Sequence, residues 1–307
     1  MKNKLKLLVA GILNIETIVN VPDYVLEEHI PLQLFPFHGI NNYVSGSGYN
    51  IAKALHMLGD DVELLSLIGE DVQGKIILEE LKKEGIKNDG VCCAMKETPL
   101  SMVLYGESNG KSSFCDLKDI QEKAYDIDIF QKKMTDVSTV VLTNTNFCRP
   151  FLPAAKAAGK LIATDVQAIP DVHDDFNKEF MEYADILFVS NDNIEGSPTE
   201  LLMSLRDMYK SQIIVVGCGE HGASIYVKQD NFIGSYAAVK TRSIVNKVGA
   251  GDALFSAFMH FYVKSADPYY SLKNALLFAS YKIGTEGSSN GFLTEEQMNQ
   301  FYHLIWK

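Results

Sequence analysis

A regular alternation of β-prone runs and helical segments limits this chain to one class of fold. From residue 139 onward, apolar runs lie at 139–143, 161–164, 186–189 and 213–216, with helical spacing near 153–158 and about 198–209. Strands that alternate with helices indicate an α/β protein with a mainly parallel sheet. Ligands of such sheets gather at the carboxyl ends of the strands. Polar residues stand at these predicted ends, namely Asn144, Asn146, Asp165 and Asn191.

Composition and charge narrow the classes of function. The 307 residues, 47% hydrophobic and 22% charged, can bury the core of one large α/β domain or of two smaller ones. The net charge is -11 and no long Lys/Arg run occurs, so we expect neither nucleic acid nor a membrane as a partner. No stretch reaches the ~18–20 apolar residues of a spanning helix. The five cysteines lack metal-site spacing, which predicts reduced thiols in a cytoplasmic protein.

The stretch from Ile244 to Phe258 combines a glycine turn with the start of a helix. Glycines let the backbone of Gly249-Ala250-Gly251 turn tightly and approach a ligand closely. Apolar residues at helical spacing follow Asp252, and the unpaired N–H groups of a first helical turn attract anions such as phosphate. A carboxylate there can cap the helix, or it can take a proton from a hydroxyl held beside the phosphate. The residues alone leave both interpretations open.

This stretch resembles the signature of the ribokinase/phosphofructokinase-B (PfkB) family of small-molecule kinases. Residues 246–252, Asn-Lys-Val-Gly-Ala-Gly-Asp, are similar to the Asn-Ser-Val-Gly-Ala-Gly-Asp pattern of the phosphosugar branch. They also lie near the C-terminal end, where the family places the motif. The resemblance implies that Gly249, Ala250 and Gly251 form an anion hole for the transferring phosphoryl group. It further implies that Asp252 is the base that activates the acceptor hydroxyl.

Two segments resemble the acceptor-binding parts of the family. Glu16 follows a predicted strand, 5–13, at a place where the family has a carboxylate, usually Asp, that binds acceptor hydroxyls. Residues 45–52, Ser-Gly-Ser-Gly-Tyr-Asn-Ile-Ala, resemble the acceptor loop Gly-Gly-x-Gly-x-Asn-x-Ala. The resemblance implies that Gly46, Ser47 and Asn50 bind the substrate. Phosphosugar members commonly carry a lysine where Ser47 stands, so the resemblance argues against a phosphorylated acceptor. An exposed loop acid and a glycine-rich helix start are the structural alternatives.

The candidate ATP-binding residues are also assigned by resemblance to the family. Residues 217–223 look like the family's Gly-Glu-Lys-Gly-Ala turn, which implies that Gly217, Gly219 and Gly222 lie under ATP. A helix predicted at 272–283 matches the family helix that borders the adenine. Ala279 and Ser280 are therefore candidate neighbours of the base, although core packing explains them equally well.

A family motif linked to magnesium is only partly present. Asn191 matches the first residue of Asn-x-x-Glu, a pair associated with magnesium and phosphate, but Ile194 stands at the fourth position and Glu195 comes one place late. We therefore assign no direct metal ligand, and Asn191 is a candidate for contact with Mg²⁺ through water. Asn246 leaves a K⁺ site open, because some family members carry an Asp there.

Two β-prone stretches, about 14–44 and 92–117, resemble the family's β lid over the acceptor site. Within the second stretch, residues 106–112 nearly spell a phosphate-binding P-loop, but only three residues separate the two glycines. Asn109-Gly110 is a strong hairpin signal. We therefore predict a lid hairpin there. Dimerisation through the lid is common among relatives, which makes a homodimer a candidate assembly.

The resemblance implies a ribokinase-like three-layer α/β/α sandwich, with a mainly parallel central sheet and a small β-sheet lid, as one kinase domain over residues 1–307. The expected function is transfer of the ATP γ-phosphoryl group to a hydroxymethyl group of a free sugar, with Mg²⁺ bridging the phosphates. A nucleoside is the second candidate acceptor, and a phosphosugar is the third. Aromatic residues that could stack on a base are Phe35, Phe37, Tyr43 and Tyr49.

The alternative to an efficient enzyme is a ligand-binding protein that has the same fold and little catalytic activity. It is favoured by departures from the family pattern at Glu16, Ser45, Ile194 and Lys247. The intact Gly249-Ala250-Gly251-Asp252 argues against it.

Overall fold

The computed structural model describes residues 6–27, 35–106, 108, 110–192, 194 and 196–306. The strands in this part of the chain are β1 (Lys6–Ala10), β2 (Asn14–Val21), β3 (Ile40–Ser45), β4 (Asp61–Gly69), β5 (Val91–Met95), β6 (Leu100–Gly106), β7 (Lys111–Asp116), β8 (Thr139–Leu142), β9 (Leu161–Ala168), β10 (Ile186–Ser190), β11 (Ile213–Gly217), β12 (Ala223–Val227) and β13 (Phe232–Tyr236). The helices are α1 (Tyr24–Glu27), α2 (Ser47–Met57), α3 (Val72–Lys83), α4 (Ile127–Met134), α5 (Phe151–Ala157), α6 (Lys178–Tyr183), α7 (Pro198–Met208), α8 (Ala250–Ser265), α9 (Pro268–Lys282) and α10 (Glu295–Ile305).

The large sheet confirms the predicted α/β sandwich. Its described strands run in the order β13-β12-β11-β10-β9-β8-β1-β4-β5. Those from β11 to β5 are mutually parallel, and β12 and β13 form an antiparallel hairpin at one edge. Because side chains alternate across a strand, Leu7 and Val9 enter one apolar core while Leu8 enters the other. One core includes α2, α8 and α9 and the other includes α4 to α7, which gives three layers.

A smaller sheet, in the order β3-β2-β6-β7, lies beside the large one. Its strands come from the two predicted lid stretches, with one correction. The second stretch, about 92–117, is divided between the sheets, because β5 pairs with β4 in the large sheet and only β6 and β7 join the small one. Strand β6 ends at Gly106, β7 begins at Lys111, and the two pair antiparallel, so the near-P-loop belongs to a hairpin, as predicted. Residues 28–34 of the first stretch, and Glu107 and Asn109, lie outside the described residues.

Several boundaries differ from those predicted. β1 ends at Ala10, not at residue 13, and Glu16 lies within β2, so it is not a loop acid. The helix after the glycine turn begins at Ala250, two residues before Asp252. None of the described helices is long and apolar enough to cross a bilayer. All five cysteines are free of disulfides.

Candidate active site

The glycine turn precedes α8, and neighbouring backbone and side-chain groups fix its conformation. Gly249 has a left-handed backbone with φ of 76°, and a Cβ there would collide with the backbone carbonyl of Ser288. The side chain of Asn246 closes the preceding turn by accepting a hydrogen bond from the Val248 N–H at 2.8 Å. By contrast, Gly251 is exposed, and a Cβ built on it would meet nothing within 4 Å. The first turn of α8 therefore opens outward at Gly251 while its backbone is fixed at Gly249.

Two helix N-termini meet at Asp252. Asn50, near the start of α2, donates a hydrogen bond from Nδ2 to Asp252 Oδ2 at 2.8 Å. The helix α2 begins at Ser47, immediately after Gly46, whose φ of 101° again requires glycine. Because the first turn of a helix carries unpaired N–H groups and a partial positive charge, the two ends together favour an anion at this point.

Two carboxyl groups near this point have raised pKa values. Burial raises the pKa of Asp252 to about 6, and the hydrogen bond from Asn50 opposes the rise. Asp165 lies within β9, three residues before its end at Ala168, and not at the strand end as predicted. It is buried, and burial followed by the negative charge of Asp252 raises its pKa to about 7. A carboxylate with a pKa near 6 is a stronger base than an exposed aspartate and is still largely ionised at neutral pH.

Hydrogen-bond acceptors from the small sheet and from α2 lie close by. Glu16 is buried in β2 and accepts a hydrogen bond from the Ser288 hydroxyl at 2.6 Å, and that hydroxyl lies 2.7 Å from the Ser45 hydroxyl. Burial raises the pKa of Glu16. Among the described residues, the buried Oδ1 atoms of Asn14 and Asn50 have no hydrogen-bond partner. Since an unpaired buried acceptor is costly, these atoms indicate a place for hydroxyl donors.

The loop after α9 fastens the small sheet over this region. Glu286 accepts hydrogen bonds from Asn20 Nδ2 at 2.8 Å, from Asn41 Nδ2 at 3.2 Å and from the Tyr43 hydroxyl at 3.2 Å. Val248, next to the glycine turn, packs against the apolar cluster of the small sheet. The small sheet therefore contacts both the glycine turn and the loop that supports it.

The predicted nucleotide residues lie along neighbouring strand ends. The Asn191 N–H, just after β10, donates to the Gly217 carbonyl at the end of β11 at 3.0 Å. Gly219 and Gly222, in the turn between β11 and β12, have left-handed backbones with φ of 54° and 101°. A Cβ on Gly217 would lie 3.9 Å from Leu254 Cδ2. The start of this turn therefore borders the first turns of α8.

Other predicted residues are placed less favourably for ligand contact. Ala279 in α9 is half-buried, but Ser280 is buried and its hydroxyl already bonds to the Thr241 hydroxyl at 3.0 Å. Ile194 packs against the apolar core, and Glu195 lies outside the described residues. Tyr49 is 1% exposed in the core, so it cannot stack on a base.

Two of the asparagines at strand ends bond to the protein itself. The Asn144 side chain donates to the Val166 carbonyl and to Asn177. The Asn146 side chain donates to the Gln121 carbonyl and accepts from the Arg149 guanidinium. Both therefore stabilise loops. Asp165 Oδ1 accepts a hydrogen bond from the Gln167 N–H at 2.8 Å, and its carboxyl group also senses the charge of Asp252. Asn191 lies next to the nucleotide turn through its bond to Gly217.

A buried lysine at the end of α9 is not predicted by the sequence motifs. Lys282 is 0% exposed, and its ammonium group donates to the carbonyl oxygen of Val248. Burial lowers the pKa of Lys282 to about 8, although the charges of Glu16 and Asp252 raise it. The helical spacing could have predicted this burial, because Lys282 follows Phe278 by four positions and therefore lies on the same, buried side of the helix.

Comparisons with known proteins agree on one family. The profile described as pfkB family carbohydrate kinase matches residues 4–295. A deoxyribokinase of Salmonella typhi is 25% identical over 280 residues, which cover 84% of this chain and 87% of the relative. A nucleoside kinase of Methanocaldococcus jannaschii is 23% identical over 236 residues, covering 73% and 74%. The solved structure of a microbiome-derived acarbose kinase superposes with a TM-score of 0.84 at 24% identity, covering 97% of this chain and 98% of the other.

Proposed function

This chain belongs to the pfkB family of carbohydrate kinases, and on that premise we propose that it transfers the γ-phosphoryl group of ATP to a hydroxymethyl group of a free sugar. It is a phosphotransferase, and its relatives include sugar and nucleoside kinases. The observation that carries the proposal is the convergence at Asp252. A carboxylate of raised pKa, the open end of a helix and buried unpaired acceptors meet there.

Asp252 acts as the general base in this proposal. Asn50 holds its Oδ2 atom, which leaves Oδ1 to accept the proton of the acceptor hydroxyl. A base with a pKa of about 6 is ionised at neutral pH and binds the proton more strongly than an ordinary aspartate. The deprotonated oxygen then forms the new bond to phosphorus while the bond from phosphorus to ADP breaks.

The first turn of α8 stabilises the charge on the transferring phosphoryl group. Backbone N–H groups of the 249–251 turn and of the residue that follows it are the donors, and they act best when they are fixed before the reaction. The Ala250 N–H makes a 3.3 Å hydrogen bond to the Lys247 carbonyl, and this bond must yield if that group is to join the anion hole. Gly251 supports the arrangement, since the space in front of it is open.

The chemistry of the acceptor side favours a neutral polyol. Glu16, Asn14 and Asn50 offer oxygen acceptors to hydroxyl donors. A phosphorylated substrate needs free cations, whereas the ammonium of Lys282 is bound to the Val248 carbonyl. The neutral Ser47 stands where a phosphate-binding lysine is expected in phosphosugar kinases. These groups support a free sugar.

Magnesium fits the donor set beside the turn. Mg²⁺ prefers oxygen ligands and commonly binds through water and one or two carboxylates together with substrate phosphates. Asp165 supplies a carboxylate whose pKa is raised partly by the charge of Asp252, a repulsion that a divalent cation relieves. Asp165 and Asn191 would hold the ion through water, and the ion would neutralise phosphate charge.

A nucleoside is the second candidate acceptor, and Tyr43 is the residue that favours it. Tyr43 lies half-buried in β3, directly opposite Glu16 in β2, so its ring borders the acceptor groups. A base could stack on this ring. Phe35 and Phe37 are 83% and 92% exposed, so each has a free face for such a contact.

The small sheet acts as a lid in this proposal, within a single kinase domain, and excludes water that would compete as acceptor. Its other face carries exposed apolar residues. Thr17 pairs with Met102, and Met102 pairs with Phe114, so these side chains share one face, on which Met102 is 43% and Phe114 is 59% exposed. We propose this face as the contact of a homodimer.

The test is ADP production from ATP and Mg²⁺ with panels of free sugars, nucleosides and sugar phosphates. Stimulation by a free sugar with the highest kcat/KM is the expected result. A higher kcat/KM for a nucleoside or a sugar phosphate would show that the acceptor is not a free sugar, but the assignment as a kinase would stand. If no compound in the three panels stimulates ADP production while calorimetry shows that ATP binds, the proposal is contradicted and a ligand-binding protein is favoured.

A further inference from the structure

A buried ammonium group, that of Lys282, lies directly beside the glycine turn. Lys282 has no exposed surface, and its ammonium group donates to the carbonyl oxygen of Val248, the residue immediately before Gly249. That carbonyl belongs to the peptide whose N–H group starts the turn. The position of the ammonium group therefore fixes the orientation of the peptide that leads into the anion hole.

The charges around Lys282 explain why a buried ammonium is tolerated. Burial lowers the pKa of Lys282 most and the charge of Arg242 lowers it a little further, whereas the attraction of Glu16 and Asp252 opposes this shift, so that the pKa is about 8. The ammonium is therefore mainly protonated at neutral pH. Its charge balances two carboxylates that are both buried or half-buried beside the acceptor.

The segment 245–249 and the end of α9 do not fit a bound K⁺ ion. The sequence alone did not exclude such a site, because Asn246 stands where some family members carry an Asp. A K⁺ ion needs free oxygen ligands, but the Val248 carbonyl is bound by Lys282. Asn246 Oδ1 accepts from the Val248 N–H, and the Ile283 carbonyl accepts from the N–H groups of residues 245 and 246. The ammonium of Lys282 and the guanidinium of Arg242 would also repel a second cation.

We propose that the ammonium of Lys282 is a tethered cation that takes the place of a soluble monovalent ion. It positions the peptide between Val248 and Gly249 and balances the charges of Glu16 and Asp252. Lys282 is thus a positioning residue for the phosphoryl transfer, and turnover needs no added K⁺. This inference rests on the proposed function.

The first test uses the unaltered enzyme after exchange into a buffer without monovalent metal ions. Turnover should change by less than about twofold when K⁺, NH₄⁺ or Na⁺ chloride is added at equal ionic strength. A rise of several-fold that is specific for K⁺ would overturn the proposal. An enzyme that turns over no acceptor at all contradicts the proposed function instead, and the cation question is then decided by its thermal unfolding in K⁺ against Na⁺.

Variants separate charge from packing. Lys282→Ala removes the ammonium and leaves a cavity, so kcat should fall by about 100-fold, the order expected for misplacement of catalytic groups. NH₄⁺ or methylammonium should restore at least tenfold and should raise the unfolding temperature of this variant without substrates. Lys282→Met fills the cavity without a charge, and it should show the same loss with no recovery.

Lys264, in the last turn of α8, is the matched control. It bonds to His260 and Glu295 at the far end of the helix, so Lys264→Ala should keep kcat and should not respond to ammonium. Equal ammonium responses in the Lys282→Ala and Lys264→Ala variants would overturn the proposal. A Lys282→Ala or Lys282→Met variant with the kcat of the unaltered enzyme would do so too.

Discussion

Replacing Gly249 with alanine tests whether the glycine turn and the acceptor groups form one rigid unit. The left-handed backbone at φ 76° costs an L-residue about 1–2 kcal/mol. The new Cβ would also collide with the carbonyl of Ser288, whose hydroxyl bonds to Glu16 at 2.6 Å and to Ser45 at 2.7 Å. Relief of the collision must therefore move the glycine turn, the acceptor groups or both. A displacement of about 1 Å at a catalytic group lowers turnover by roughly 100-fold.

Gly159→Ala is the matched control. Gly159 has a φ of 67°, close to that of Gly249, but a Cβ there would meet nothing within 4 Å. Urea unfolding should therefore show a loss of about 1–2 kcal/mol in this variant, and an equal or larger loss in Gly249→Ala. A coupled assay of ADP release should show normal kcat for Gly159→Ala and a loss of about 100-fold for Gly249→Ala. Turnover of Gly249→Ala within threefold of the control would refute the link between the collision and catalysis.

Two further predictions concern the charged groups. The value of kcat/KM should rise with pH through about 6, because Asp252 must lose its proton before it can accept another, and it should fall above about 8, where Lys282 loses its proton. A pH–rate profile from 5 to 9 checks this, and a flat profile would contradict it. Glu16→Gln should raise the KM of the acceptor by about 10–100-fold, since hydrogen bonds to charged groups contribute about 1.5–3 kcal/mol, and should leave the KM of ATP unchanged. Steady-state kinetics with each substrate varied decides this, and equal changes in both KM values would argue against an acceptor role.

The elements whose pattern is local could be predicted from sequence. The strands after residue 139 alternate with helices over short distances, and the structure confirms β8 to β11 within a few residues. The hairpin between β6 and β7 was also predicted, because Asn109-Gly110 encodes a turn by itself. By contrast, β5 was assigned to the wrong sheet. Its sequence, Val-Cys-Cys-Ala-Met, is β-prone but carries no signal about whether it pairs with β4 or with β6.

The missing part of the site depends on contacts between distant residues. Ser288 meets Glu16 across 272 positions, and Glu286 meets Asn20 across 266, so no local pattern links them. Lys282 lies on the buried side of a helix, but only the packed structure shows that it meets the Val248 carbonyl. The raised pKa of Asp165 likewise follows from burial beside Asp252, which the sequence does not state.

The most direct measurement compares Asp252→Asn with Asp267→Asn. Asp267 caps α9 by accepting hydrogen bonds from two N–H groups of its first turn, so its variant keeps a capping side chain and should be neutral. Asparagine at 252 likewise keeps an oxygen for the bond from Asn50, so the fold and ATP affinity should be preserved. General-base catalysis by Asp252 predicts a loss of about 10²–10⁴-fold in kcat with the stimulating acceptor. Turnover within tenfold of the unaltered enzyme would contradict it and would leave Asp252 only the role of an acidic residue in the first turn of α8.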